Sequence, residues 1–388
     1  MLQAETFFAA FRDRGIRRVT GTPCSYLAPL INAAIVDPSL EFRAAANEGD
    51  AVAFAAGGFV GSGEPEIVMF QNSGLGNAVN ALTSLNWPFR IPSLLVVTHR
   101  GDPRGPADEP QHELMGAITL PLLALLRIPW VPFPPDRTAL EAVLQRVTRH
   151  FATERLPFAL VMPRDGVAGP ALQREYPPVA SGARRLVFEE TLTRIHADRA
   201  LRAEALGDLL ALMSPDDLVV ATTGYTGREL FTLRDAPNHL YLVGAMGGAS
   251  AFGLGLALRQ PQRRVFVIDG DGALMMRLGN LAAVGAHAPP NLFHLVLDNA
   301  AHESTGGQAT AGGNVWFGAM AQAAGYARVA GSDDRAELTR AVATHTPHSG
   351  PTLLHFRIRV GALPRLARPT LQPVEVRRRL MTHLGLTP

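Results

Sequence analysis

The chain has 388 residues, 47% hydrophobic and 18% charged, which is the composition of a globular protein large enough for two or three domains. Its formal charge of +2 is the balance of 36 basic and 34 acidic residues spread along the chain, so no basic tract points to nucleic acid. Every basic residue is arginine, and a chain without lysine cannot run Schiff-base aldolase, pyridoxal-phosphate or P-loop chemistry, each of which needs a lysine amine.

The N-terminal stretch MLQAETFFAAFRDRG predicts an amphipathic helix with charges inside it, without the basic-then-apolar order of a signal peptide. Strands follow at 17–22, 65–71, 92–98 and 157–163, alternating with helical stretches, and this pattern predicts a doubly wound parallel sheet over residues 1–168. The single cysteine, Cys24, excludes an intrachain disulfide and a multi-thiolate zinc site, and suits a reducing cytoplasm. The longest apolar run, Ile118 to Pro134, is interrupted by Arg127 and prolines, so no membrane span is expected. Proline- and glycine-rich sequence then predicts a linker over 169–198. A second α/β domain is expected over 199–365, with strands at 217–223, 239–245, 264–270, 291–298 and 352–358, and a basic helical tail over 366–388. Two domains of like size and style suggest a duplication, although no residue-level repeat is visible.

In open parallel sheets ligands bind beyond the carboxyl ends of the strands. The loops there are GTPCS (21–25), ANEGD (46–50), QNSGLGN (71–77) and HRGDPRGPADEPQH (99–112) in the first domain. In the second they are TTGYTGREL (222–230), GAMGGAS (244–250), IDGDGAL (268–274) and LDNAAHESTGGQ (297–308). Asp271 lies between Gly270 and Gly272, where phosphate can approach the backbone, and one helix and one strand later comes Asn299. A carboxylate and an amide oxygen at neighbouring strand ends are hard ligands suited to Mg²⁺ on a diphosphate. A helix-capping Asp271 and a turn-forming Asn299 would leave the same pattern. A dinucleotide site is excluded by register: the third glycine of its fingerprint is replaced by Met275, Val79 and Leu258 in the three candidate loops. Glu48, at a strand-to-helix turn among small apolar residues, suits a carboxylate that must hold a proton, while acids are also common in any first helical turn.

GTPCSYLAPLIN, AANEGDAVAFAAG, QNSGLGNAVNALTSLN, DEPQH, TTGYTGREL, VGAMGGAS, GDGALM and LDNAAHESTGGQ occur in this order. Together they resemble the phosphonopyruvate decarboxylases, a family of thiamine-diphosphate-dependent enzymes to which sulfopyruvate decarboxylase is a near relative. The resemblance implies a pyrimidine-binding first domain and a diphosphate-binding second one, without the third domain of longer relatives such as acetolactate synthase. It implies decarboxylation of 3-phosphonopyruvate to phosphonoacetaldehyde and CO₂, a step of phosphonate natural-product biosynthesis, with thiamine diphosphate and Mg²⁺ as cofactors. By position, Glu48 would activate the aminopyrimidine, and Asp271, Asn299 and the backbone carbonyl of Ala301 would hold the metal. Asn72, Ser73, Gly224, Tyr225, Met246, Gly270, Gly272 and Ala273 would complete the cofactor site, with Met246 as the wedge that bends the cofactor. Gly248, after Met-Gly, departs from the family pattern and bears on pocket shape.

His112 and His302, in strand-end loops, are candidates for proton transfer. The substrate anion calls for a guanidinium fork, for which Arg100, Arg104 and Arg228 are candidates, with Ser25 nearby in the motif set. The expected partners are a small 2-oxoacid and at least one further copy of the chain, with active sites at subunit interfaces. Sulfopyruvate or another anionic 2-oxoacid is the alternative substrate, the fused chain and DEPQH favouring phosphonopyruvate. A catalytically inactive thiamine-fold binding protein is the rival of another class, disfavoured by the intact Glu48, Asp271 and Asn299.

Overall fold

The computed structural model describes residues 1–172, 190–194 and 196–388, so residues 173–189 and 195 of the expected linker lie outside the described residues. The chain divides into two compact units, one in each half. In the first, six parallel strands are β1 (Arg18–Gly21), β2 (Glu41–Ala44), β3 (Glu66–Phe70), β4 (Ser93–Thr98), β5 (Trp130–Pro132) and β6 (Phe158–Met162), in the order β2-β1-β3-β4-β6-β5. Every residue of β3, β4 and β6 is buried. Helices cover both faces of such a sheet, and for that reason these strands read as unbroken apolar runs rather than alternating ones. The helix Ala4–Arg12 buries Phe7, Phe8 and Phe11 on one face, and Phe7 stacks on Phe133 with ring centroids 5.2 Å apart.

The second unit holds seven parallel strands: β7 (Glu190–Thr191), β8 (Leu218–Ala221), β9 (His239–Tyr241), β10 (Val265–Gly270), β11 (Leu292–Asp298), β12 (Arg328–Ser332) and β13 (Thr352–Arg357). Their order is β9-β8-β10-β11-β13-β12-β7. Apart from the edge strand β7, this repeats the first sheet strand for strand, so the kinship of the halves lies in topology rather than in any residue repeat. β7 itself falls inside the stretch expected as linker and pairs Glu190 with Gly331 and Thr191 with Ser332. The basic tail forms the helix Pro373–His383.

In both sheets the strand order reverses between the first strand and the third, at β1/β3 and at β8/β10. Loops leaving neighbouring strands in opposite directions open a crevice there, and that crevice is where such sheets bind ligands. No helix among the described residues is long and apolar enough to cross a membrane.

Candidate active site

The reversal point of the second sheet carries an open cleft. From β8 come Thr222 and Thr223, then Gly224 at φ 92°, which turns the chain into the helix Tyr225–Leu233. That left-handed φ favours glycine. From β10 come Gly270, Asp271, Gly272 and Ala273, and from β11 come Asn299, Ala301 and His302, with Met246 lining the cleft as well. The fold brings these residues to one cleft, with Asp271 and Asn299 just past the ends of adjacent strands.

Asp271 is almost fully buried. Burial raises its pKa above the ordinary carboxylate value, the hydrogen bond from the Thr310 hydroxyl opposes the rise, and the neighbouring Asp298 charge adds to it. Burial acts on Asp298 in the same direction, but His355 Nε2 at 2.8 Å and Arg357 Nη1 at 2.7 Å more than offset it, and its pKa is lowered. The site thus contains one carboxylate compensated within the protein and one, Asp271, left short of positive charge.

Asn299 is held by both ends of its amide: Nδ2 donates to Glu303 Oε2 at 3.1 Å and Oδ1 accepts from the Ala301 N–H at 3.1 Å. Between them Ala300 sits at φ 57°, its N–H donating to Asp298 Oδ1 at 2.9 Å. His302 opens a short hairpin with Gln308, and its ring packs on the Gly272 backbone, where an added Cβ would stand 2.4 Å from the ring.

Three observations test this cleft against a diphosphate and a hard cation. The Thr222 hydroxyl lines the cleft, is buried, and has no hydrogen-bond partner, as a group awaiting an oxyanion would be. Gly312 keeps a side chain off the Asp271 carboxylate, since a Cβ there would come 2.8 Å from Asp271 Oδ2. The donors are a carboxylate, an amide and backbone carbonyls, all hard oxygens. The residues fit the group. Thr222 and Glu303 lay inside quoted motifs without being singled out. Arg202, whose side chain also lines the cleft, had no signal in the helix start LRAEAL.

The remaining candidates, Arg228 excepted, belong to the first unit. Glu48 is the first residue of the helix Glu48–Ser62 and is half-buried. Its carboxylate meets polar partners rather than the small apolar residues that sequence suggested: Thr22 Oγ1 donates to Oε1 at 2.9 Å and Asn77 Nδ2 to Oε2 at 2.8 Å. These donors come from the ends of β1 and the segment after β3, which curl toward the helix start. Gly74 allows this, because a Cβ there would lie 2.3 Å from Glu48 Cγ.

Asn72 is fully buried and its Nδ2 donates to the Arg100 carbonyl and the Thr119 hydroxyl, both at 2.9 Å, so that side-chain nitrogen ties loops together. Ser73 accepts from Gln71 at 2.8 Å, and Ser25 is exposed at the start of the turn Ser25–Leu27. Arg100 is forked onto Asp108, at 3.1 and 2.8 Å, and lies over the Tyr26 ring. Arg104 is exposed against Asp102, and Arg228 donates to the Leu366 and Ala367 carbonyls. Each arginine expected to seat an anion is therefore engaged within the chain. His112 is buried in the turn Pro110–His112, with Nε2 3.8 Å from Glu109. Ligand atoms of Asp108, Glu109 and His112 lie within 4.8 Å of one another, but Arg100 already holds both Asp108 oxygens.

Residues 1–115 match the family model of the thiamine pyrophosphate enzyme N-terminal TPP binding domain, and residues 222–356 that of the C-terminal TPP binding domain. A thiamine diphosphate-dependent 4-hydroxybenzoylformate decarboxylase from Rhodococcus jostii RHA1 has the same fold, with a TM-score of 0.71 over 94% of this chain and 100% of that one at 14% identity. The fold and the cleft thus define a thiamine pyrophosphate enzyme. Phosphonopyruvate decarboxylase of Streptomyces viridochromogenes is 44% identical over 100% of this chain and 96% of its own length. That of Streptomyces hygroscopicus is 45% identical over 98% and 93%. A sulfopyruvate decarboxylase of Methanosarcina acetivorans is 29% identical over 79% of this chain and 78% of its own. The chain belongs to the phosphonopyruvate decarboxylase family.

Proposed function

We propose that this chain decarboxylates 3-phosphonopyruvate to phosphonoacetaldehyde and CO₂, using thiamine diphosphate and Mg²⁺. The observation that carries the reading is the cleft at the β8/β10 reversal, with its uncompensated Asp271, in a chain alike over its full length to two phosphonopyruvate decarboxylases. Bound thiamine diphosphate supplies the electron sink that loosens the bond to the leaving carboxylate. Asp271, Asn299 and the Ala301 carbonyl would hold Mg²⁺, whose charge would help neutralise the diphosphate. The Thr222 hydroxyl would donate to a phosphate oxygen, and Gly270, Gly272 and Ala273 would let that oxygen approach the backbone. Met246, which lines the cleft, would pack against the cofactor. Glu48 would hold the proton that the aminopyrimidine needs, its orientation set by Thr22 and Asn77. His302 and His112 would move protons at the substrate carbon. The substrate anion would draw a guanidinium from Arg100 or Arg104, away from its present carboxylate.

The Glu48 loop and the Asp271 loop belong to different units, and we take the working enzyme to be a homo-oligomer of at least two chains. Activity per chain should then fall on dilution to nanomolar concentration, in step with dissociation seen by sedimentation.

The deciding experiment incubates the protein with thiamine diphosphate, Mg²⁺ and a panel of 2-oxoacids bearing phosphonate, sulfonate or carboxylate, and ranks them by CO₂ release. Faster release from the sulfonate would establish the second reading, which the single-chain Methanosarcina acetivorans relative supports by showing that a fused chain does not by itself select phosphonate. Cofactor binding without CO₂ release from any of them would identify an inactive binding protein.

A further inference from the structure

Asn299 carries an amide whose two ends have opposite chemistry: only the oxygen can ligate a cation, and the NH₂ turned the same way would repel one. Two partners decide which end faces where, the Ala301 N–H on the oxygen and, on the nitrogen, Glu303. Its Oε2 accepts from Asn299 Nδ2 at 3.1 Å, which commits the oxygen to the side of the Ala301 N–H. Glu303 is itself fastened. Arg202 Nη2 donates to the same Oε2, and the Gly361 N–H donates to Oε1 at 2.6 Å. Arg202 is buried, and its Nη1 reaches the fully buried Glu229 at 3.2 Å, whose other oxygen accepts from the Leu363 N–H at 2.8 Å. Four side chains therefore run in series, Glu229, Arg202, Glu303 and Asn299, from the interior of the unit to the cleft.

We propose that Glu303, locked by Arg202, is the positioning residue that presents the Asn299 oxygen to the metal. The proposal rests on the metal reading above. Partners of this kind orient a ligating group and typically contribute 10–100-fold to metal affinity. Glu303 acts through Asn299 and needs no contact with the ion or the substrate. Its carboxylate is the better choice over an amide because it accepts on both oxygens and donates on neither, so nothing in it competes for the wrong orientation of Asn299.

The test measures Mn²⁺ affinity by electron paramagnetic resonance, with thiamine diphosphate present, for the parent and for Glu303→Ala, Glu303→Gln and Asp271→Ala. Thermal midpoints in excess chelator report the fold separately. Glu303→Ala should weaken Mn²⁺ binding by about 10–100-fold. Glu303→Gln, which can still turn its carbonyl toward Asn299, should lie between Glu303→Ala and the parent. Turnover at saturating metal should recover more fully than the affinity does. If Glu303→Ala does not fold, Glu303→Gln alone decides, since parent-like Mn²⁺ binding in it overturns the proposal. Parent-like binding in both Glu303 variants, with binding lost in Asp271→Ala, would sink the positioning role and leave the metal site standing. Parent-like binding in Asp271→Ala would remove the metal reading itself, and the inference with it.

Discussion

Replacing Glu48 with glutamine isolates one function, the holding of a proton, from everything else the side chain does. The substitution preserves length, so the close fit against Gly74 is kept. The glutamine carbonyl can still accept from Asn77, and its new NH₂ can donate to Thr22, because a hydroxyl is acceptor as well as donor. Two charge-assisted hydrogen bonds become two neutral ones, a loss of about 1–2 kcal/mol in all. Fold and cofactor binding should survive that. What does not survive is the acid, and a positioned proton transfer contributes about 10²–10⁴-fold, so turnover should fall by that factor, roughly 3–5 kcal/mol in the barrier. A slower late step would lower turnover too. The assay is therefore exchange of the thiazolium C2 proton for deuterium on the bound cofactor, quenched and read by NMR. Exchange and turnover should slow together. Exchange at the parent rate beside a crippled turnover would refute the role given to Glu48.

Asp271→Ala should fold and yet fail to retain Mg²⁺ and thiamine diphosphate in calorimetry, since it removes the carboxylate from a cleft rim rather than from the centre of the sheet. Gly74→Ala should reduce C2 exchange nearly as far as Glu48→Gln does, because its methyl group would have to displace the Glu48 side chain; parent-like exchange would show that the carboxylate's position is immaterial. His345 is buried between Thr352 and the Asn291 carbonyl, and burial pushes its pKa down from 6.5 to about 4. The unfolded chain then binds more protons than the native one across that window, so stability should be lost as pH falls from 6.5 toward 4, by roughly 3 kcal/mol from this group. His345→Gln should flatten the slope of chemical-denaturation stability against pH there, and an unchanged slope would mean that the ring is charged when folded.

The strands legible in the sequence were those buried on both faces, such as Phe158–Met162 and Leu292–Asp298, where an unbroken apolar run between turn residues has one reading. The apolar pattern did not show three strands at or near sheet edges: Trp130–Pro132 is embedded in prolines, Arg328–Ser332 is partly exposed, and Glu41–Ala44, half polar, was implied only by the strand-to-helix turn at Glu48. Edge position can relieve a strand of the need to be apolar, and in these three it weakens the signal, whereas the buried edge strand His239–Tyr241 kept it. The cleft residues were legible because they sit in loops at consecutive strand ends, where function shows as glycine and polar residues in places that packing does not explain. Arg202 was not, because its role depends on Glu229 and Glu303, 27 and 101 residues away, meeting it in space. The polar surroundings of Glu48 were hidden for the same reason: Thr22 and Asn77 come from two other loops.

The repeated strand order bears on stoichiometry. β3 holds in the first sheet the place that β10 holds in the second, so topology alone would allow an ion site at each reversal point. The residues that follow decide otherwise. After β10 comes Asp271, a carboxylate lacking a matching positive charge, whereas after β3 comes Asn72, a neutral side chain that brings no charge to draw a cation. On the proposed reading, one of the two equivalent positions serves as a cation seat, while the other ties loops together through Asn72 Nδ2. A saturated preparation should accordingly carry one equivalent of divalent metal per chain, and the count should stay one per chain at any assembly size.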